Sequence, residues 1–509
     1  MNIYTLAILV VVLLLWVVAW NLRSIWARQT LLLLASYFFY SNWGIGFLSI
    51  LIASSLLNFT IGSLLRRRLS IGYLWLGVAL NVLVLGFFKY LPPILDAGGS
   101  GSWHFDLARR IFMPVGISFW TFQGLSYLID IYLEEEADPS LLEFCLFMAF
   151  WPTVLSGPVC RVPDMLPQFR KEPVFSWDDI SAGTLCLIQG FFMKMYLAQL
   201  LASGWMPGAG VTAGFDQIKT GWGGIDVWLL GMGFGFQLFF DFAGYSLMVI
   251  GVARLFGIHI PQNFARPFLS TTPAVFWTRW HMSLSFWIRD YVFKPLAFSR
   301  RERWWPSVVL VISMTLFGLW HGARWTFVVF GVYHGLVLVM HRLGQRSKPR
   351  FSTSLPRYVR PFLAWATTFL LLSLGFILFR ANDLHQALSM LGSVVSPAAY
   401  RRFALPRNFY LLTVAIAVGY FGVTAAQSLL LSWRARYREA MSTSGPVESS
   451  WRVTVSDGPL VVGAFADFIA ATLWWWFAPA VVSLTAVAAL AIYKVNAVIT
   501  VTPFIYTLF

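Results

Sequence analysis

WPSVVLVISMTLFGLWHGARW (residues 305–325) runs through sixteen mostly apolar residues before it reaches His321. A bilayer-spanning helix needs roughly 20 predominantly apolar residues. Runs of the same character, such as IYTLAILVVVLLLWVVAW (3–20), recur along all 509 residues. The chain is 58% hydrophobic and 12% charged, against about 25% charged residues in a soluble domain. There is room for about a dozen spans, and the reading is a polytopic membrane protein. A second stretch, FWTRWHMSLSFWIRDYVFKPL (276–296), also sets a histidine, His281, among tryptophans. A full charge at the bilayer centre costs about 2.5–3.5 kcal/mol on insertion scales, so ionisable residues in such settings are functional candidates by default.

The formal charge of +15 does not indicate nucleic acid. The cations gather in short loops between apolar runs: Arg66–Arg67–Arg68, Arg300–Arg301 with Arg303, and Arg342 to Arg350. That distribution orients spans, because cytoplasmic loops carry the Lys/Arg excess. With Arg23 and Arg28 after the first run, alternation predicts an N-terminus outside. Cys145, Cys160 and Cys186 show no metal-ligand spacing and read as small buried hydrophobes. No metal site is expected. The first run has neither a basic flank nor a small-residue cleavage site, so it reads as a retained span.

Candidate spans lie near 3–20, 29–42, 46–64, 72–90, 111–132, 141–156, 180–201, 226–256 (one or two), 305–321, 325–341, 361–379, 408–432, 459–476 and 478–502. Gly257, Pro261, Pro267 and Pro273 prevent a long helix through 257–273. From Phe276 to Tyr291, apolar residues recur at helical spacing, with Arg279, Ser283 and Asp290 on another face. This predicts an amphipathic helix at an interface or lining a cavity. Three regions are expected: a membrane domain over 1–433, a polar linker over 434–458, and hydrophobic helices over 459–509. No internal repeat is visible.

On a continuous helix at about 100° per residue, Gly318, Gly322 and Trp325 fall within about a third of a turn of His321. The glycines would leave room for a substrate chain, and the tryptophan would supply a flat wall. A neutral imidazole there can accept a proton; the plainer reading is a histidine bonded to a neighbouring span. His281, near Ser285, Arg279 and Arg289, reads as a wetter, more cationic helper or as a structural contact. His334 would point away from His321 and reads as structural, and His104, His259, His341 and His385 lie in loops or at span ends. Asp241, in a very apolar run, must be paired, hydrogen-bonded or protonated, with Gln237, Tyr245 and Ser246 as available neighbours. Asp130, Lys194 and Asp467 are further intramembrane charges.

GISFWTFQGLSYLIDIY (116–132), LSGPVCRVPDMLPQF (155–169), FFDFAGYS (239–246), PQNFARPFLS (261–270), FWTRWHMSLSFWIRDYVF (276–293) and GLWHGARWTFVVFGVYHG (318–335) resemble, in the same order, the membrane-bound O-acyltransferases. The resemblance covers about residues 30–395 and is nearest to bacterial members that modify cell-envelope polymers, those of alginate and exopolysaccharide O-acetylation and of teichoic-acid D-alanylation. It implies that His321, in the WHG element, is catalytic and that His281, in the RWHMSLS element, is the second functional histidine. The fold it implies is all-α and polytopic: a ring of about 11–14 transmembrane helices, with re-entrant or interfacial helices around a central funnel.

FILFRANDLHQALSML (376–391) resembles the exopolysaccharide-acetylating members, whereas DFAGYSL and RPFLS resemble the D-alanyl branch. Leu247 replaces an aspartate usual in the alginate type, and KPLAF (294–298) replaces PLGG.

The expected activity is O-acyl transfer in the cytoplasmic (inner) membrane. The donor substrate would be acetyl-CoA or another acyl thioester, with no permanently bound cofactor. A periplasmic or extracellular acyltransferase partner would complete transfer to a polysaccharide. The alternatives are D-alanyl transfer from a carrier-protein thioester to a teichoic-acid-like polymer and, more remotely, a polymer or lipid transporter.

Overall fold

The computed structural model describes residues 3–96, 111–133, 138–172, 174–204, 208–216, 218, 221–347 and 359–443. Every regular element among these residues is a helix. Seven are long and apolar enough to cross a bilayer: Ile45–Arg67, Ile71–Lys89, Trp177–Ser203, Gly224–Leu255, Trp325–Gln345, Val359–Arg380 and Arg407–Leu430. Trp305–His321 and Leu384–Val395 are shorter apolar helices. The protein is all-α and polytopic.

Two of the apolar runs do not become full spans. The run at 111–132 forms a helix only over Ile117–Tyr132, 16 residues, and that at 141–156 only over Leu141–Ala149, nine residues. At 1.5 Å per residue these reach roughly 24 and 14 Å, short of the ~30 Å hydrocarbon thickness. Their apolarity reflects burial in protein: thirteen consecutive residues from Ile117 to Ile129 include twelve buried ones. The run at 226–256 is one helix, Gly224–Leu255, of 32 residues.

Small residues and amides bring the helices together, as expected where lipid is as apolar as leucine. Asn81 donates to Asn58 at 2.8 Å. A Cβ at Gly124 would lie 2.8 Å from the Asn58 amide, so Ile117–Tyr132 can approach that pair only through glycine. Gly183 and Gly190 face Gly251 and Gly244, seven residues apart on each helix. A Cβ at Gly183 would stand 2.9 Å from the Gly251 carbonyl, and one at Gly244 would stand 2.7 Å from that of Gly190.

The chain divides after Phe409 into two compact units, and the candidate site lies wholly in the first. Of the second, the described part is residues 410–443, which belong to the helix Arg407–Thr443. It continues ten residues into the stretch read as a linker, where Arg, Ala, Glu and Met favour helix. The runs at 459–476 and 478–502 lie outside the described residues.

Candidate active site

His321 is the last residue of the helix Trp305–His321. The chain turns out of the helix at Gly322, whose backbone is extended. The final carbonyls of any helix lack partners within it, and here other elements supply them. The Leu319 carbonyl accepts from the Tyr90 hydroxyl at 3.0 Å, and the Trp320 carbonyl accepts from Lys89 Nζ. Beyond the turn, Arg324 donates to the carbonyls of Ala381, at 2.7 Å, and Asn382. The turn carrying His321 is therefore held on both sides.

The helix break overturns the expectation that Trp325 walls His321. Trp325 opens the next helix, Trp325–Ser347, and is 74% exposed. The wall is built instead by Trp320, Phe379, Phe317 and Phe327, with ring centroids 4.7, 4.8, 5.5 and 5.8 Å from the imidazole. Nor does Gly318 clear space for a substrate. A Cβ there would strike the Phe327 carbonyl, so this glycine brings the two consecutive helices into contact.

The segment from Phe276 is not one amphipathic helix. It forms Pro273–Trp277 and Met282–Ile288, then a wider π turn over Arg289–Phe293 and a last turn over Lys294–Phe298. The break falls on His281, at φ 42° and ψ 54°. A left-handed backbone at a non-glycine residue costs roughly 1–3 kcal/mol and persists only where its surroundings over-determine it. Here Asn263 supplies the constraint. Its carbonyl accepts from the Met282 N–H at 2.9 Å, its side-chain oxygen from the Ser283 hydroxyl at 2.6 Å, and its amide donates to the Ser246 hydroxyl at 3.2 Å. The Ser283 oxygen in turn accepts from the Val159 N–H at 2.9 Å. Three of the sequence motifs thus meet at one asparagine, and a fourth joins them through Ser283.

His281 is 1% exposed, which corrects the expectation of a wet, cationic setting. Its neighbours are Phe242 at 4.7 Å, Trp320 at 5.8 Å and Phe317 at 6.4 Å between centroids. Arg289 is turned elsewhere, onto the Phe286 ring and Asp290. Neither ring nitrogen of His281 has a hydrogen-bond partner among the described residues. Trp320 and Phe317 neighbour both histidines, so residues 40 positions apart share one buried aromatic chamber. Phe119 and Phe122 of the 116–132 motif close it against Trp320, at 5.8 and 6.0 Å.

His334 does not stand apart from this chamber. It is buried, 5.1 Å from Trp277 and 4.6 Å from Phe330, a ring that also neighbours His321. Asp241 pairs with Lys194 at 2.6 Å across the glycine-lined helix contact. Asp130 accepts from the Tyr291 hydroxyl at 2.6 Å. His259 pairs with Asp179 at 2.8 Å, His341 lies 3.1 Å from Gln345, and no disulfide joins Cys145, Cys160 and Cys186. His104 and Asp467 lie outside the described residues.

Outside the chamber, Arg161, Arg289 and Lys294 converge on Asp290 at 2.8, 2.9 and 2.8 Å. Partial burial opposes ionisation of that carboxyl. Hydrogen bonds from Arg289, Lys294 and Arg161 outweigh it and hold the group below the ordinary carboxylate range. Among the described residues no three His, Cys, Asp or Glu side chains gather as metal ligands.

Sequence reading missed the roles of Asn263, Ser283, Lys89, Tyr90 and Arg324. Asn263, Ser283 and Arg324 lie inside the family motifs, but as single polar or charged residues they carry no signal of the contact they make.

Residues 68–381 match the family model of the membrane-bound O-acyltransferases. The probable alginate O-acetylase AlgI of Pseudomonas putida is 35% identical over 381 residues, covering 72% of this chain and 75% of its own length. The peptidoglycan O-acetyltransferase of Helicobacter pylori is 32% identical over 397 residues, covering 72% and 73%. The teichoic acid D-alanyltransferase of Streptococcus thermophilus is 34% identical over 250 residues, covering 46% and 58%. The chain is an acyltransferase and belongs to the membrane-bound O-acyltransferase family.

Proposed function

We propose that the protein O-acetylates an extracytoplasmic cell-envelope polysaccharide, drawing acetyl groups from a cytoplasmic thioester such as acetyl-CoA. The observation that carries this reading is the shared chamber: His321 and His281 both face Trp320 and Phe317, within a fold of this family. Acetyl is favoured over D-alanyl because the two acetylating relatives are 35% and 32% identical over 72% of the chain, whereas the D-alanyl transferases match 46% of it at 34% identity or 63% of it at 27%.

In the mechanism, His321 takes the proton of an acceptor hydroxyl as that oxygen attacks the thioester carbonyl. The tetrahedral intermediate collapses with loss of the thiolate, which recovers the proton from the imidazolium. A thiol with pKa about 8.5 is a far better leaving group than an ordinary alcohol. Exclusion of water by the aromatic walls protects the thioester from hydrolysis. His281, locked in place by Asn263, orients the reacting groups. The donor is a substrate, not a resident cofactor, and a periplasmic or extracellular partner passes the acyl group to the polymer. The cytoplasmic membrane is the site of action, with the N-terminus outside.

The test presents purified protein in liposomes with acetyl-CoA or with a D-alanyl carrier-protein thioester, and measures thiol release. Turnover of acetyl-CoA is expected. Turnover of the D-alanyl thioester alone would overturn the acetyl assignment while keeping acyl transfer.

Arg300, Arg301 and Arg303 are exposed just before the helix that ends at His321. Such a cluster raises the local concentration of an anionic donor. Reversing all three charges is expected to raise the donor KM more than it lowers kcat, and to weaken the salt dependence of kcat/KM. An unchanged KM would remove these arginines from donor capture.

A further inference from the structure

We infer that Lys89, assisted by Tyr90, is a positioning residue for His321, acting through the end of its helix. The inference rests on the reading of His321 as the base. Lys89 closes the helix Ile71–Lys89 and is 7% exposed. Its ammonium donates to the Trp320 carbonyl and to the Ser118 hydroxyl, the latter at 3.2 Å, and lies 5.1 Å from the centre of the Trp320 ring. Among the described residues its hydrogen-bond partners include no carboxylate. Removing a charge from water without a counter-charge is costly. What offsets it here is the negative end of a helix, where unpartnered carbonyls sum to about half an elementary charge, together with the tryptophan face.

The adjacent residue completes the grip, with the Tyr90 hydroxyl on the Leu319 carbonyl at 3.0 Å. Lys89, the last residue of its helix, and Tyr90, the residue that caps it, thus hold the two consecutive carbonyls that immediately precede His321. Fixing that backbone fixes the direction in which the imidazole leaves the chain. Holding the Trp320 ring fixes the surface that both histidines share. Catalytic geometry is sensitive on this scale, since a displacement of about 1 Å can cost about 10²-fold in rate.

The test uses the full-length enzyme with four variants: Lys89→Met, Lys89→Arg, Tyr90→Phe and His321→Gln. Lys89→Met is expected to lower kcat by about 10–100-fold, with the donor KM changed by no more than about twofold, because it disturbs alignment and not capture. Lys89→Arg keeps a cation and donors at the carbonyl and is expected to recover most of that loss. Tyr90→Phe, which deletes a single hydroxyl, is expected to lower kcat by a few fold. A normal kcat in Lys89→Met, a loss that Lys89→Arg does not recover, or a KM that rises in step with the fall in kcat would overturn the role. Should Lys89→Met not fold, an unchanged kcat in Tyr90→Phe overturns it instead. An inert His321→Gln beside a normal Lys89→Met would reject Lys89 alone, whereas an active His321→Gln would reject the base itself.

Discussion

Replacing His321 by glutamine is expected to lower acyl transfer by about 10²–10⁴-fold, the usual contribution of a general base, while the protein inserts and purifies normally. The imidazole belongs to the last residue of its helix, so its loss leaves the helix intact. The turn itself is anchored by bonds that do not involve the side chain: Tyr90 and Lys89 on the carbonyls before it, and Arg324 on those of Ala381 and Asn382. Glutamine keeps a polar group in the chamber but cannot take the hydroxyl proton. The measurement is thiol release from the acyl donor at saturating acceptor, with a thermal midpoint on the same preparation. Turnover within a few fold of the unaltered protein would end the assignment.

His281→Ala is expected to produce the second-largest loss, smaller than that of His321→Gln, because a positioning group leaves the base in place. The left-handed backbone at 281 is imposed from outside the side chain. Asn263 holds Met282 and Ser283 through the peptide N–H and the hydroxyl, and alanine alters neither bond. The effect of the variant is therefore on the chamber and not on the fold of the segment. Without the ring, Phe242 and Trp320 lose a shared neighbour, and in the proposed mechanism the reacting groups lose the side chain that orients them. Both kcat and the acceptor KM are expected to change, since orientation is established when the substrates bind. Should His281→Ala prove the more damaging of the two, the roles of the histidines are exchanged.

Membrane class was legible in the sequence because hydropathy is additive along a chain: any helix crossing lipid must satisfy its own backbone and present apolar side chains. The same signal misled at 117–132 and 141–149, where apolarity records burial in protein. Periodicity likewise described the 276–291 segment well enough to find its aromatic face, but not its break. The left-handed turn at His281 is imposed by Asn263, and an asparagine 18 residues upstream leaves no mark on helical spacing.

What the sequence determined by itself was the class of fold, the family, and the two histidines on which function is proposed, since each is written in contiguous motifs. The tertiary structure alone decided how those histidines are held. Trp320 in place of Trp325 forms the wall because the helix ends at Gly322. His321 is secured by Lys89, 231 positions from its bonding partner Trp320. A contact between a lysine and a distant backbone carbonyl depends on which helices pack together, and backbone carbonyls are the same at every residue. No local pattern could have announced it.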